Sequence, residues 1–81
     1  MEQGMRTEVL MPNLGYDMES AKVTAWLKQV GDPVRRGEPI AEIETDKTNI
    51  EMESLLDGTL VEIVVEAGAE AAVGEVIAFI E

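Results

Sequence analysis

Eighty-one residues make one small domain, with 6 basic against 17 acidic side chains and a formal net charge of −11. The chain has no histidine and no cysteine, which excludes imidazole bases, Ser-His and Cys-His nucleophile pairs, disulfides and thiol chemistry. It also removes the usual ligands of structural zinc. The acidic balance argues against nucleic acid and anionic membrane surfaces as partners. Any chemistry performed here needs a reactive group from elsewhere.

With 46% hydrophobic residues, 15 of them Val or Ile, the chain is too apolar for intrinsic disorder despite its charge. The longest apolar run, Val76-Ile77-Ala78-Phe79-Ile80, is far short of a membrane span. The opening Met1-Glu2-Gln3-Gly4-Met5-Arg6 is too acidic and polar for a secretory signal. A cytoplasmic protein is expected, or a mitochondrial matrix one if eukaryotic. Residues 1–7 are expected to be a tail and 8–81 the domain.

An internal repeat sets the architecture. Residues 31–44, GDPVRRGEPIAEIE, recur at an offset of 37 as GAEAAVGEVIAFIE at 68–81. Seven of the fourteen positions are identical, among them Gly31/Gly68, Gly37/Gly74 and Glu38/Glu75. The halves are taken as about 8–45 and 48–81. Two copies are too few for a solenoid, so a closed pseudo-twofold domain is expected.

In chain order, strands are predicted over 8–11, 22–28, 34–36, 39–45, 48–53, 59–65, 71–73 and 76–80. Each is short, rich in Val and Ile, and bounded by Gly, Pro or Asp. Lys22 and Lys28 both fall in the second of these. Trp26 reads as a core residue. Gly31, Gly37, Gly68 and Gly74 read as positive-φ turn residues. Alternation is clearest in Ala41-Glu42-Ile43-Glu44-Thr45 and Asn49-Ile50-Glu51-Met52-Glu53, apolar inward and acidic outward. Residues 64–73 could form a helical turn, but their repeat partner Gly31-Asp32-Pro33 reads as a turn, so no helix is predicted. The fold class is all-β, a flattened barrel or sandwich of two four-stranded antiparallel sheets.

The two alternating strands are joined by Thr45-Asp46-Lys47-Thr48. Thr45 and Thr48 suit strand ends, leaving Asp46 and Lys47 as a two-residue hairpin tip near the pseudo-twofold axis. Lys47 is one of three lysines and is flanked by Glu42, Glu44, Asp46, Glu51 and Glu53. A solvated turn residue is the simplest account of it. As an unassisted nucleophile it is poor, because a free amine with a pKa near ~10.4 is protonated at neutral pH. An exposed tip could instead enter another enzyme's active site and receive a covalent group there.

Several segments together resemble the lipoyl domains of the biotinyl/lipoyl carrier family. They are Met11-Pro12-Asn13-Leu14-Gly15, Val23-Thr24-Ala25-Trp26-Leu27-Lys28, Gly31-Asp32-Pro33-Val34, and Gly37-Glu38-Pro39-Ile40-Ala41-Glu42-Ile43. The specific element is Glu44-Thr45-Asp46-Lys47-Thr48, with Gly58 eleven residues beyond the lysine. The likeness runs from Val9 to Ile80. It implies lipoate in amide linkage to Lys47, installed by a lipoate ligase or lipoyl synthase system. It also implies a non-catalytic, monomeric carrier domain within a dihydrolipoamide acyltransferase (E2) chain. Its expected partners are a thiamine-dependent 2-oxo acid decarboxylase (E1), the acyltransferase core (E2) and dihydrolipoyl dehydrogenase (E3). The loop Gly15-Tyr16-Asp17-Met18 is expected near the tip, where it and Glu44 would help partners recognise the domain. Biotinyl carriers typically show Met-Lys-Met where this chain has Asp46-Lys47-Thr48. A third reading is an adaptor that reuses the fold unmodified.

Overall fold

The computed structural model describes residues 6–13, 18–46 and 48–81. Eight strands follow one another: β1 (Thr7–Leu10), β2 (Ser20–Trp26), β3 (Pro33–Val34), β4 (Pro39–Glu44), β5 (Asn49–Glu53), β6 (Gly58–Ile63), β7 (Glu70–Ala72) and β8 (Val76–Ile80). They form two four-stranded sheets, ordered β1-β8-β6-β3 and β5-β4-β2-β7, and every pairing is antiparallel. No helix occurs among the described residues, and 64–69 are turns and bends.

The duplication seen in the sequence holds at the level of single hydrogen bonds. Gly31 N–H donates to Leu60 O at 2.7 Å, and 37 residues on, Gly68 N–H donates to Val23 O at 2.7 Å. Leu60 N–H donates to Asp32 O at 3.0 Å, and Val23 N–H to Ala69 O at 2.9 Å. Each half's turn therefore grips a strand of the other half. Gly31 and Gly68 hold these turns at φ of 99° and 95°, where a side chain is strained. Gly37 and Gly74 take φ of 85° and 89°, so all four predicted turn glycines adopt positive φ.

The registers repeat as well. Ile43 pairs with Ile50, and its counterpart Ile80 pairs with Thr7. The hairpin stem of β4 and β5 thus has as its twofold image the pairing of the first and last strands. The core is duplicated too: Val23/Leu60, Val34/Ala71, Ile40/Ile77, Ala41/Ala78 and Ile43/Ile80 are all buried. Each buried isoleucine contributes about 2 kcal/mol of apolar transfer free energy.

Strand ends differ from expectation where a distant partner sets them. β2 begins at Ser20 because Ser20 and Ala21 pair with Ala72 and Ala71 of β7. It stops at Trp26, so Lys28 is not a strand residue. Its ammonium instead meets Glu38 Oε2 at 2.9 Å. Trp26 is half-buried rather than enclosed, packing on the core edge while its Nε1–H donates to Val65 O at 2.8 Å.

Glu38 and Glu75 do the same work in the two halves. Glu38 Oε1 accepts Arg35 N–H at 3.0 Å, and Glu75 Oε1 accepts Ala72 N–H at 2.9 Å. Among the described residues, Glu38 is also paired with a lysine. The Lys28 hydrogen bond, followed by the Arg35 N–H, holds the Glu38 carboxyl below its ordinary 4.5. Ionised Glu38 therefore stabilises the fold above about pH 4.5, and that contribution is lost as pH falls through the depressed folded value. Glu38→Gln keeps an acceptor for Arg35 but loses the ion pair. Its Tm is expected to fall less than wild type's between about pH 5 and pH 3, as read by thermal unfolding.

Gly58 is glycine for space, not for φ. A Cβ built there would lie 2.7 Å from Glu81 O and 2.8 Å from Ile80 Cγ2. Because backbone cannot step aside as a flexible side chain does, Gly58→Ala is expected to cost about 2 kcal/mol. Calorimetry should show Tm lowered by roughly 10 °C.

Candidate functional site

The hairpin between β4 and β5 is where the sequence placed the site. β4 lies inside its sheet, flanked by β5 and β2, so the stem is held on both sides. Ile43 is fully buried and Met52 nearly so, while Glu44, Asn49, Glu51 and Glu53 are exposed. Inward apolar and outward polar positions fix the register, since a one-residue slip would turn the isoleucines to solvent. Thr45 N–H donates to Thr48 O at 2.8 Å and closes the stem. The two residues between them are Asp46, which is exposed, and Lys47.

Lys47 lies outside the described residues, as do Gly15, Tyr16 and Asp17. Met18, the remaining member of the predicted partner loop, is partly buried against the core. Glu44, Thr45, Asp46 and Thr48 are together at the hairpin. Gly58 is not: it opens β6 in the opposite sheet, paired with Val34 and packed on Glu81. Its place eleven residues after Lys47 reflects the length of β5 and the following loop rather than proximity to the tip.

Around the stem the outer face departs from the internal symmetry. Glu42 stands directly opposite Glu51, and the equivalent pair in the other sheet is Phe79 opposite Glu8. There Arg6 covers the Phe79 ring, 4.8 Å from its centroid, and pairs with Glu62 at 3.0 Å. The hairpin half has Glu42 where the other half has the Phe79 ring, and Asn49 where it has Arg6. Lys22 is the cation in register, facing Glu44 on one side and Glu70 on the other. Among the described residues no group of three or more acidic side chains is arranged to hold a metal ion.

Sequence reading missed this divergence, although aligning the two repeats puts Glu42 against Phe79. Like charges directly opposite on an antiparallel pair are destabilising. Glu51→Lys is therefore expected to raise stability by about 0.5 kcal/mol. The gain should shrink at high salt, which thermal unfolding at two ionic strengths will show.

The biotin/lipoyl family model, described as biotin-requiring enzyme, matches residues 7–80. The acetyltransferase component of the acetoin cleaving system of Bacillus subtilis is 43% identical over 76 residues, covering 94% of this chain and 19% of that protein. Acetyltransferase component 2 of the mitochondrial pyruvate dehydrogenase complex of Arabidopsis thaliana is 49% identical over 72 residues, 88% of this chain and 13% of that one. The chain thus spans under a fifth of these relatives' length. The solution structure of the lipoyl domain of the 2-oxoglutarate dehydrogenase complex from Azotobacter vinelandii superposes with a TM-score of 0.75 at 31% identity. It covers 91% of this chain and 94% of that one. With the whole sandwich and a family model over 7–80 in agreement, the chain belongs to the biotin/lipoyl family, whose domains carry lipoate or biotin covalently, and within it to the lipoyl domains.

Proposed function

We propose that Lys47 bears a lipoyl group in amide linkage, and that the domain is the mobile carrier of a 2-oxo acid dehydrogenase complex. The observation that carries this is the hairpin itself. Its stem is closed by Thr45 and Thr48, and exposed Asp46 occupies the tip next to Lys47. The fit is physical: a long chain on residue 47 would leave a tip whose described neighbours Glu44, Asp46, Thr48 and Asn49 are exposed rather than walled in. When bound, the lipoyl group supplies the dithiolane chemistry that a chain without cysteine lacks.

This chain's own residues present and orient. In forming the amide, the Lys47 amine attacks an activated lipoyl carboxyl delivered by a ligase, and the activating group leaves. The lysine's positive charge is lost, lowering the formal net charge from −11 by one unit. Ile43 and Met52 hold the strands beneath the tip. Glu44 at the stem's end, with Glu42 and Glu51 below it, keeps the tip's surroundings hydrated and repels other anionic surfaces. The domain catalyses none of the steps. Tethering raises the effective concentration of a carried acyl group at each site visited. Those sites are the thiamine-dependent decarboxylase, the acyltransferase core that passes the acyl group to coenzyme A, and the flavin-dependent dihydrolipoyl dehydrogenase. The related proteins named above serve acetoin, pyruvate and 2-oxoglutarate systems, so the acyl group is assigned by experiment.

Incubation with lipoate, ATP and a lipoate ligase is expected to add one lipoyl increment to the intact mass, and Lys47→Arg to abolish it while leaving Tm unchanged. Retention of the increment in the variant, or its absence in wild type, refutes the assignment. A biotin increment with biotin ligase instead moves the chain to the biotin carriers. Reductive acylation of the lipoylated domain by a panel of 2-oxo acid decarboxylases then identifies the partner.

A further inference from the structure

Two-residue hairpin loops usually rely on glycine or asparagine, because the favoured turns need positive φ. Here the loop is Asp46-Lys47, and the positive-φ glycines of the described chain all lie elsewhere. The loop's own residues are poorly suited to choosing one turn, so its definition must come from the stem.

The stem supplies it through one side chain. Thr45 Oγ1 donates to Thr48 O at 2.9 Å, and Thr48 N–H donates back to Thr45 Oγ1 at 3.2 Å. A hydroxyl both donates and accepts, so a single group holds both polar atoms of the Thr48 backbone. The Thr45 N–H bond to Thr48 O, at 2.8 Å, runs beside them. Thr45 is half-buried, which limits competition from water for these bonds.

We propose that Thr45 is a positioning residue for the modification of Lys47: its hydroxyl clamps Thr48 and so holds together the two ends of the stem from which the Asp46-Lys47 loop springs. This rests on Lys47 being the attachment site. A modifying enzyme meets a competent tip only for the fraction of time the turn holds the required conformation. Its apparent affinity for the domain is reduced by that fraction. Loss of the clamp therefore raises KM for the domain and leaves kcat, which belongs to the docked complex, nearly unchanged.

The test compares Thr45→Val, which keeps the branched shape and loses the hydroxyl, with Thr45→Ser, which restores the hydroxyl. Lipoylation by a lipoate ligase with lipoate and ATP is followed by intact mass at varied domain concentration. Tm and the amide exchange of Thr48 are measured on the unmodified domains. Thr45→Val is expected to raise KM roughly tenfold, the scale of one ordinary hydrogen bond or slightly more. Its Thr48 amide should exchange faster, and Thr45→Ser should return both readings to near wild type. A wild-type KM in Thr45→Val overturns the proposal, as does a defect that follows Tm or that serine fails to rescue. If the wild-type domain gains no lipoyl mass, the reading of Lys47 fails and the positioning role fails with it. Thr48 exchange then decides whether the clamp exists, and equal exchange in Thr45→Val and wild type eliminates it.

Discussion

The reciprocal grip of the two glycine turns is the constraint on which the rest depends. Gly31 gives its N–H to Leu60, and Gly68 gives its own to Val23, so each half satisfies backbone groups of the other. Neither half can complete these bonds alone, and a buried backbone group left unpaired costs much more than the pair gains. The same crossing places the turns against Val23 and Leu60, both fully buried. Hydrogen bonding and apolar burial therefore close in one step, making the domain a single cooperative unit although its sequence is a duplication. Gly31 and Gly68 are held at this position by their φ values, which a residue with a side chain reaches only under strain.

A rigid base is what makes a defined tip possible. β4 is bonded on both sides, and its inward side chains come from the same duplicated set that fills the core. The hairpin is thus an extension of a fully packed part of the core. At its end, control passes from packing to a few polar bonds between Thr45 and Thr48. The two halves share backbone geometry down to the register, yet differ in outer side chains, Glu42 against Phe79 being the clearest case. Symmetry serves folding, and its breach on the outer face falls in the half that holds the candidate site.

Most of the architecture was legible because duplication exposes it. The 37-residue offset located the turn glycines, and strict alternation in 41–45 and 49–53 located the hairpin and its register. The ends of β8 were legible as 76–80, but those of β2 were not. β2 begins at Ser20 only because β7, fifty residues away, pairs with it, and no local pattern encodes that. Lys28 looked like a strand residue because its ion pair with Glu38 depends on a turn bringing the two together. Gly58 could be noticed as a glycine at a family-like spacing. Its reason, the backbone of Glu81 lying where a Cβ would sit, belongs to three dimensions. Thr45 was recognised as part of a motif, but that one hydroxyl binds both polar atoms of Thr48 required coordinates.

The twofold image of the hairpin stem is the meeting of β1 and β8, where Thr7 lies beside Ile80. Four residues, Arg35 to Glu38, lead from the β3 end beside Gly58 and Glu81 to the start of β4, the end of that strand remote from Thr45. The first and last strands therefore meet at the foot of the molecule, with the hairpin at its head. Polypeptide continuing from either Arg6 or Glu81 would hold the domain by that foot. The body of the sandwich would then be a rigid rod between such a tether and a group carried at the proposed Lys47, and β4 alone contributes about 20 Å of it. Reach is gained without any loss of orientation at the tip, because the segment that lengthens the arm is the one part of it that does not bend.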